Sequence, residues 1–266
     1  MIVRWDDVQP GEDIGQAAGS LNVSLHRLQL APDETAAQSD APVEEIVFVL
    51  EGSGSWEHDL GTSELRAGDC GVRLVEDQGH LLRAGRDGLT VFAFVSPIAR
   101  KLVSRASNRA PHIVNVGELE ADYEGEAGKW VVVARQAGAV RSGLNWGHLE
   151  AGRGGAPPHL HTADEEVFVI LEGSGTLELL PSPVRAEEVE RETHEVRAGD
   201  VIWRPPSTGI AHFLRAGPEG ITFLAYGTRE PNDVCYYPRS NKIYWRGAGL
   251  IARLEPLGYD DGEPED

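Results

Sequence analysis

The sequence predicts an all-β protein built as two copies of one small barrel or sandwich, with the chemistry placed in the second copy. Three observations carry this reading. Val23 to Gly52 aligns with Leu144 to Gly173 without a gap, and later blocks match too: Arg66 to Asp69 with Arg197 to Asp200, and His80 to Gly85 with His212 to Gly217. The apolar runs, such as Ile46 to Leu50 and Leu89 to Val95, are short and end at glycine-rich turns, which favours strands over long helices. The second copy holds His159-Leu160-His161 followed by Glu166, whereas the matching positions of the first hold Gln38, Asp40 and Glu45.

Taken in order, residues 1–100 form an N-terminal unit with a degenerate version of this pattern, and residues 101–129 form a connecting segment. That segment includes the polar patch from Ser104 to Arg109 and an acidic stretch from Glu118 to Glu126, with room for a short helix or an edge strand. Residues 130–228 form the C-terminal unit, with a longer charged loop from Pro183 to Glu195 read as a surface excursion. Residues 229–266 form an extension ending in an acidic tail.

Composition narrows the function. A formal charge of -19 repels phosphate backbones, so nucleic acid is not an expected partner. No apolar run approaches the roughly 20 residues needed to span a bilayer. The start of the chain has no basic region followed by an apolar stretch, so a cytoplasmic location is expected. Cys70 and Cys235 are too few for a disulfide framework and read as small buried residues.

In a strand, side chains two apart point the same way, so His159 and His161 aim both imidazoles at one space. Glu166 begins the next apolar strand, on the face shared by Phe168 and Ile170, with Val167 and Val169 on the other. His212 follows a strand and turn that can return it to the same cavity. Three imidazoles and a carboxylate suit a divalent transition metal with one or two open positions.

These residues resemble the motifs of the cupin superfamily, and the duplication resembles a bicupin. The family's first motif, two histidines one residue apart, then a glutamate and a glycine, is met by His159, His161, Glu166 and Gly173. The second, a glycine, a proline, a further glycine and a histidine, is met by Gly199, Pro205, Gly209 and His212. The first-motif glycine falls on Arg153, with Gly154 beside it, and the asparagine often found after the last histidine is Ala216. The resemblance implies two tandem double-stranded β-helix (jelly-roll-like) barrels, with iron, manganese, nickel, zinc or copper held by His159, His161, Glu166 and His212. Glu165 is the alternative carboxylate ligand, but Glu166 has the family spacing to Gly173. For the first copy, with Glu45 and His80 kept and two imidazoles lost, a role in folding, pairing or walling a pocket is expected.

The resemblance implies a metal-dependent enzyme acting on a small oxygenated or carboxylated molecule, with dioxygenase-type oxidoreductase chemistry placed first. A non-redox isomerase, decarboxylase or hydrolase is the enzymatic alternative, and a non-catalytic binding or storage protein is the third. Phe168, Ile170, Leu214, Trp146 and Trp203 are candidate pocket walls, and His148, Arg204 and Tyr226 are candidate catalytic contacts. The segment from Asn232 to Arg246 is basic and aromatic in an acidic chain, and reads as an added strand or lid, or as a source of carboxylate contacts through Arg239, Lys242 or Arg246. A homodimer is a further expectation, unless the duplication supplies that contact within one chain.

Overall fold

The computed structural model describes residues 1–9, 11–37, 43–58, 61–74, 80–97, 113–255, 257–258 and 260–262. Gln38, Asp40, the patch from Ser104 to Arg109 and the end of the acidic tail lie outside the described residues. Strands dominate. The N-terminal unit comprises β1 (Ile2–Arg4), α1 (Ile14–Ala18), β2 (Ser24–Leu30), β3 (Thr35–Ala37), β4 (Val43–His58), β5 (Gly61–Arg66), β6 (Asp69–Arg73) and β7 (Leu81–Pro97). A connection carries β8 (Val114–Asn115), β9 (Tyr123–Gly125), β10 (Gly128–Val132) and α2 (Val133–Gln136). The C-terminal unit follows with β11 (Ser142–Leu149), β12 (Leu160–His161), β13 (Glu166–Pro181), β14 (Glu192–Arg197), β15 (Asp200–Arg204) and β16 (Ile210–Thr228). The extension adds β17 (Val234–Tyr237), β18 (Lys242–Trp245) and β19 (Leu250–Arg253).

The repeat is visible strand by strand. β4 pairs with β5, β6 and β7 as β13 pairs with β14, β15 and β16, always antiparallel. β4 and β13 each run 16 residues, long enough to fold across both faces of a barrel, and each bends at two register shifts in the repeated Glu-Gly-Ser-Gly block. The first glycine of that block has to be glycine. Gly52 and Gly173 have φ of 82° and 74°, and a Cβ on either would lie 2.2 Å from a carbonyl oxygen of the paired strand.

Alternation along β13 divides its side chains as expected. Phe168 and Ile170 join Leu177, Ile202, Leu214 and Phe223 inside the second barrel, and the corresponding Val47 and Val49 line the first. The opposite face is buried as well. Val167, Val169, Leu224 and Tyr226 pack against Ile46, Phe48, Phe92 and Phe94, so one apolar layer joins the outer faces of the two barrels.

That junction is reciprocal. β1 leaves the first unit to pair with β15, and β8 pairs with β6, the counterpart of β15. Glu44, buried at the head of β4, accepts hydrogen bonds from the backbone N–H groups of Val140, Arg141 and Ser142 and from the Ser142 hydroxyl. Its counterpart Glu165 reaches back and accepts from the Ser20 hydroxyl and the N–H groups of Leu21 and Asn22. Among the described residues no helix is long and apolar enough to cross a membrane.

Candidate metal centre

The site forms where β12, which shares a sheet with the extension strands β17–β19, approaches β13 and β16 of the second barrel. Residue His159 bridges to His212 on β16, with backbone bonds in both directions (His212 N to His159 O, 2.9 Å; His159 N to His212 O, 3.3 Å), so their rings stand 4.5 Å apart. His161 ends β12, and Glu166 opens β13 with its side chain on the interior face. All three imidazoles converge on one oxygen. Glu166 Oε2 lies 3.0 Å from His212 Nε2, 3.5 Å from His161 Nε2 and 4.0 Å from His159 Nε2.

Glu166 Oε2 and His212 Nε2, both buried, meet at 3.0 Å and make no other hydrogen bond among the described residues. Buried polar atoms with so few partners are costly in a closed interior, and a shared cation fits the point on which these donors converge. The tautomers fit as well. His159 Nδ1–H donates to the Pro157 carbonyl (2.8 Å) and His161 Nδ1–H to Asp233 Oδ2 (2.7 Å), which leaves both Nε2 lone pairs facing Glu166. The donor set of three imidazoles and one carboxylate therefore fits a divalent transition metal.

Electrostatics follow from the crowding. Burial opposes ionisation of Glu166, but the three imidazoles outweigh it and hold the carboxyl well below the usual carboxylate range. Burial, helped by His159, pushes His212 down to about 4. Burial also works against a charge on His161, yet the Glu166 and Asp233 carboxylates prevail and raise it to about 9 without a cation, so a metal has to displace the Nε2 proton before it gains that lone pair.

Arg204 belongs to the same interior. It sits directly opposite Glu166 in the β13–β15 register and is 8% exposed. One Nη2 bond reaches the Ile210 carbonyl at 3.2 Å, while the buried Nε has no hydrogen-bond partner among the described residues. The first barrel treats the same pair differently. There Glu45 and Arg73, both buried, form an ion pair at 3.1 Å, and Trp56 Nε1–H donates to His80 Nδ1 at 2.6 Å. Trp56 occupies the place of Leu177 and is accommodated by Gly71 in the place of Ile202, so an indole occupies barrel interior that the second copy leaves to smaller groups.

Several expected site residues lie elsewhere. Tyr226 faces the first barrel, stacked on Phe94 at 5.0 Å and 11°, because its register partner Val167 is on the outer face of β13. Trp146 and Trp203 pack into the same inter-barrel layer rather than the interior, and Trp203 Nε1–H donates to Glu165 (2.6 Å). Glu165 is thus occupied by the Ser20–Asn22 turn and Trp203 and is no alternative to Glu166. His148 stacks on Trp146, hydrogen-bonds Thr222 at 3.0 Å and borders an apolar cavity of about 420 Å³ with Trp130 and Leu149. Gly154 takes up the role of the missing motif glycine: a Cβ there would lie 2.2 Å from the Phe213 ring.

The extension contributes what sequence reading missed. β17 pairs with β12, laying Cys235 and Tyr237 beside the histidines, and Asp233 fixes His161. Arg239 pairs with Glu178 and covers Phe213, Lys242 covers Tyr237, and Arg246 pairs with Asp164 and Asp233, so each expected carboxylate contact has a partner within the chain. The basic and aromatic composition of this segment was its only signal.

The chain has the two-barrel architecture of a bicupin fold, and its C-terminal unit carries a match to a cupin family model. A family model described as Cupin matches residues 118–241. Solved structures of oxalate decarboxylase from Bacillus subtilis share the fold. One, concerned with its Mn(II) centres, has a TM-score of 0.67 at 14% identity and covers 88% of this chain and 78% of that chain. A second, concerned with substrate binding mode and a reaction specificity switch, gives the same values. A tryptophan-to-tyrosine mutant of that enzyme gives a TM-score of 0.65 at 14% identity over 87% of this chain and 80% of that chain. No curated protein matches.

Proposed function

We propose that the C-terminal barrel is the active site of a metal-dependent enzyme acting on a small carboxylate, with His159, His161, Glu166 and His212 holding the cation. Loss of carbon dioxide by carbon–carbon cleavage is the favoured reaction class. The observation that carries the reading is Arg204, a buried guanidinium with an unsatisfied Nε beside the four donors. Such a group gains most from a planar anion that it can bind in a fork. The solved oxalate decarboxylases support the same direction at the level of fold.

A bound divalent cation would supply Lewis acidity at a substrate oxygen. Arg204 binds and orients the carboxylate from the β15 side. Phe168, Ile170 and Leu214 keep the interior dry, which strengthens that ion pair. Tyr237, stacked on His159 at 5.7 Å, keeps a proton on its phenol oxygen at neutral pH, since burial pushes its pKa above the ordinary value.

The test is a panel of small mono- and dicarboxylic acids with metal-loaded protein under anaerobic conditions, following carbon dioxide release. Oxygen-independent turnover that Arg204→Met abolishes is expected. Dioxygen consumption in step with product would instead establish the dioxygenase chemistry placed first on sequence grounds. Equal carboxylate binding by the Arg204→Met variant would remove the basis of the proposal.

A further inference from the structure

β17 carries two polar side chains beside the donor cluster, Cys235 and Tyr237, and the thiol has no place in the proposed function. The register is Leu160 opposite Tyr236 and His161 opposite Cys235. Directly opposed residues of an antiparallel pair project to the same face, so Cys235 points to the side of the sheet that His161 occupies. Tyr237, two residues on, shares that face and stacks on His159. Cys235 is 3% exposed, and its Sγ and one ring nitrogen each of His159 and His161 all lie within 4.8 Å of one another. His159 also belongs to a second such group with Glu166 and His212, whose Oε2 and Nε2 are buried and make no hydrogen bond beyond their own 3.0 Å approach among the described residues, so the two donor groups adjoin through one imidazole.

We propose that Cys235 is a further donor to the cation of the C-terminal barrel, which makes the centre a mixed nitrogen, oxygen and sulfur site. This rests on the reading of that barrel as metal-binding and adds the class of metal. One physical reason favours it, and one consequence follows for metal choice. Glu166 alone leaves a dication with three neutral imidazoles one positive charge in excess in a closed interior, and a thiolate brings the donors to two negative charges. A soft thiolate also shifts preference towards zinc, cobalt, nickel or ferrous iron and away from manganese, which favours oxygen donors. On coordination the Sγ–metal bond forms, the S–H bond breaks and its proton passes to solvent.

Cobalt(II) reports the sulfur directly, because a thiolate bound to it adds an intense charge-transfer absorption in the near ultraviolet that imidazole and carboxylate donors lack. The full chain is titrated with cobalt(II), and Cys235→Ser and Cys70→Ser are measured alongside. Cys70 is the other of the two cysteines and lies in the inter-barrel layer. The expected result is a band in the parent protein and in Cys70→Ser that is lost in Cys235→Ser while the weaker visible cobalt bands remain. Should Cys235→Ser not fold, a band retained in Cys70→Ser still assigns the sulfur, since one thiol is then left. Cobalt bound without the band, or a band that survives Cys235→Ser, overturns the proposal and leaves the metal centre standing. Failure to bind cobalt at all overturns both.

Discussion

Asp233→Asn separates the extension's role in the metal centre from simple packing. Asp233 Oδ1 accepts from the backbone N–H groups of Thr162 (3.1 Å), Ala163 (2.9 Å) and Asp164 (3.2 Å), and Oδ2 accepts from His161 Nδ1–H (2.7 Å). An asparagine has one acceptor oxygen for these two duties. Three N–H groups hold it on the backbone side, so the amide N–H₂ turns towards His161. The imidazole then satisfies it by accepting on Nδ1, which places its proton on Nε2 and removes the lone pair that faces Glu166. Loss of such an outer partner weakens metal binding by about 10- to 100-fold, equivalent to about 1.4–2.8 kcal/mol. Competition for zinc against a chromophoric chelator measures this, with thermal unfolding of the metal-free variant as the control for folding. An affinity within about threefold of the parent protein would refute the tautomer argument.

The remaining predictions concern the other shells. Glu165→Gln is expected to lower stability by about 2–3 kcal/mol in urea unfolding, because buried donors of the Ser20–Asn22 turn lose a charged acceptor, with metal content unchanged. Glu166→Gln is expected to do the reverse, keeping the fold and losing metal by elemental analysis. Arg204→Met is expected to retain metal but weaken carboxylate binding by calorimetry about 10- to 100-fold, the cost of about 1.5–3 kcal/mol for hydrogen bonds to a charged group. In the first barrel Gly71→Ala drives a Cβ to 2.3 Å from the Trp56 ring and is expected to cost about 1–3 kcal/mol. The same change made with Trp56→Leu is expected to cost less than the sum of the two alone, a coupling that a double-mutant cycle reads directly.

The convergence of these side chains was legible because it rests on short-range parity and on a repeat that supplies its own control: His159, His161 and Glu166 stand where Gln38, Asp40 and Glu45 stand in the first copy. Alternation also separated Phe168 from Val167 correctly. It could not tell which face is the interior for Trp146, Trp203 and Tyr226, because the outer face of each barrel is buried by the other and both faces read as apolar. Asp233 lies 72 residues from His161 in sequence, and no local pattern announces such a contact. Trp56 was hidden for a different reason: a single large residue in a conserved-length strand changes the content of a barrel without changing its pattern.

The two barrels are therefore one folding scaffold with unequal contents. The first unit lends β1 to β15, the connection lends β8 to β6, and each barrel anchors the other's entry turn through a buried glutamate, so the strand that carries Arg204 is bordered by residues 2–4 and the turn before Glu166 is tied to residues 20–22. Those contacts place a requirement on the first barrel that involves no ligand of its own. Under it, the interior of the first copy is free to differ: its Glu45 pairs with Arg73, and the Trp56 indole fills space that smaller groups leave in the second copy. Its outer face was not free, since Phe94 and Tyr226 must still meet there. The asymmetry of the interiors and the symmetry of the interface are thus compatible: the contacts that border the candidate metal centre come from the outer face and edge of the first barrel and not from its interior.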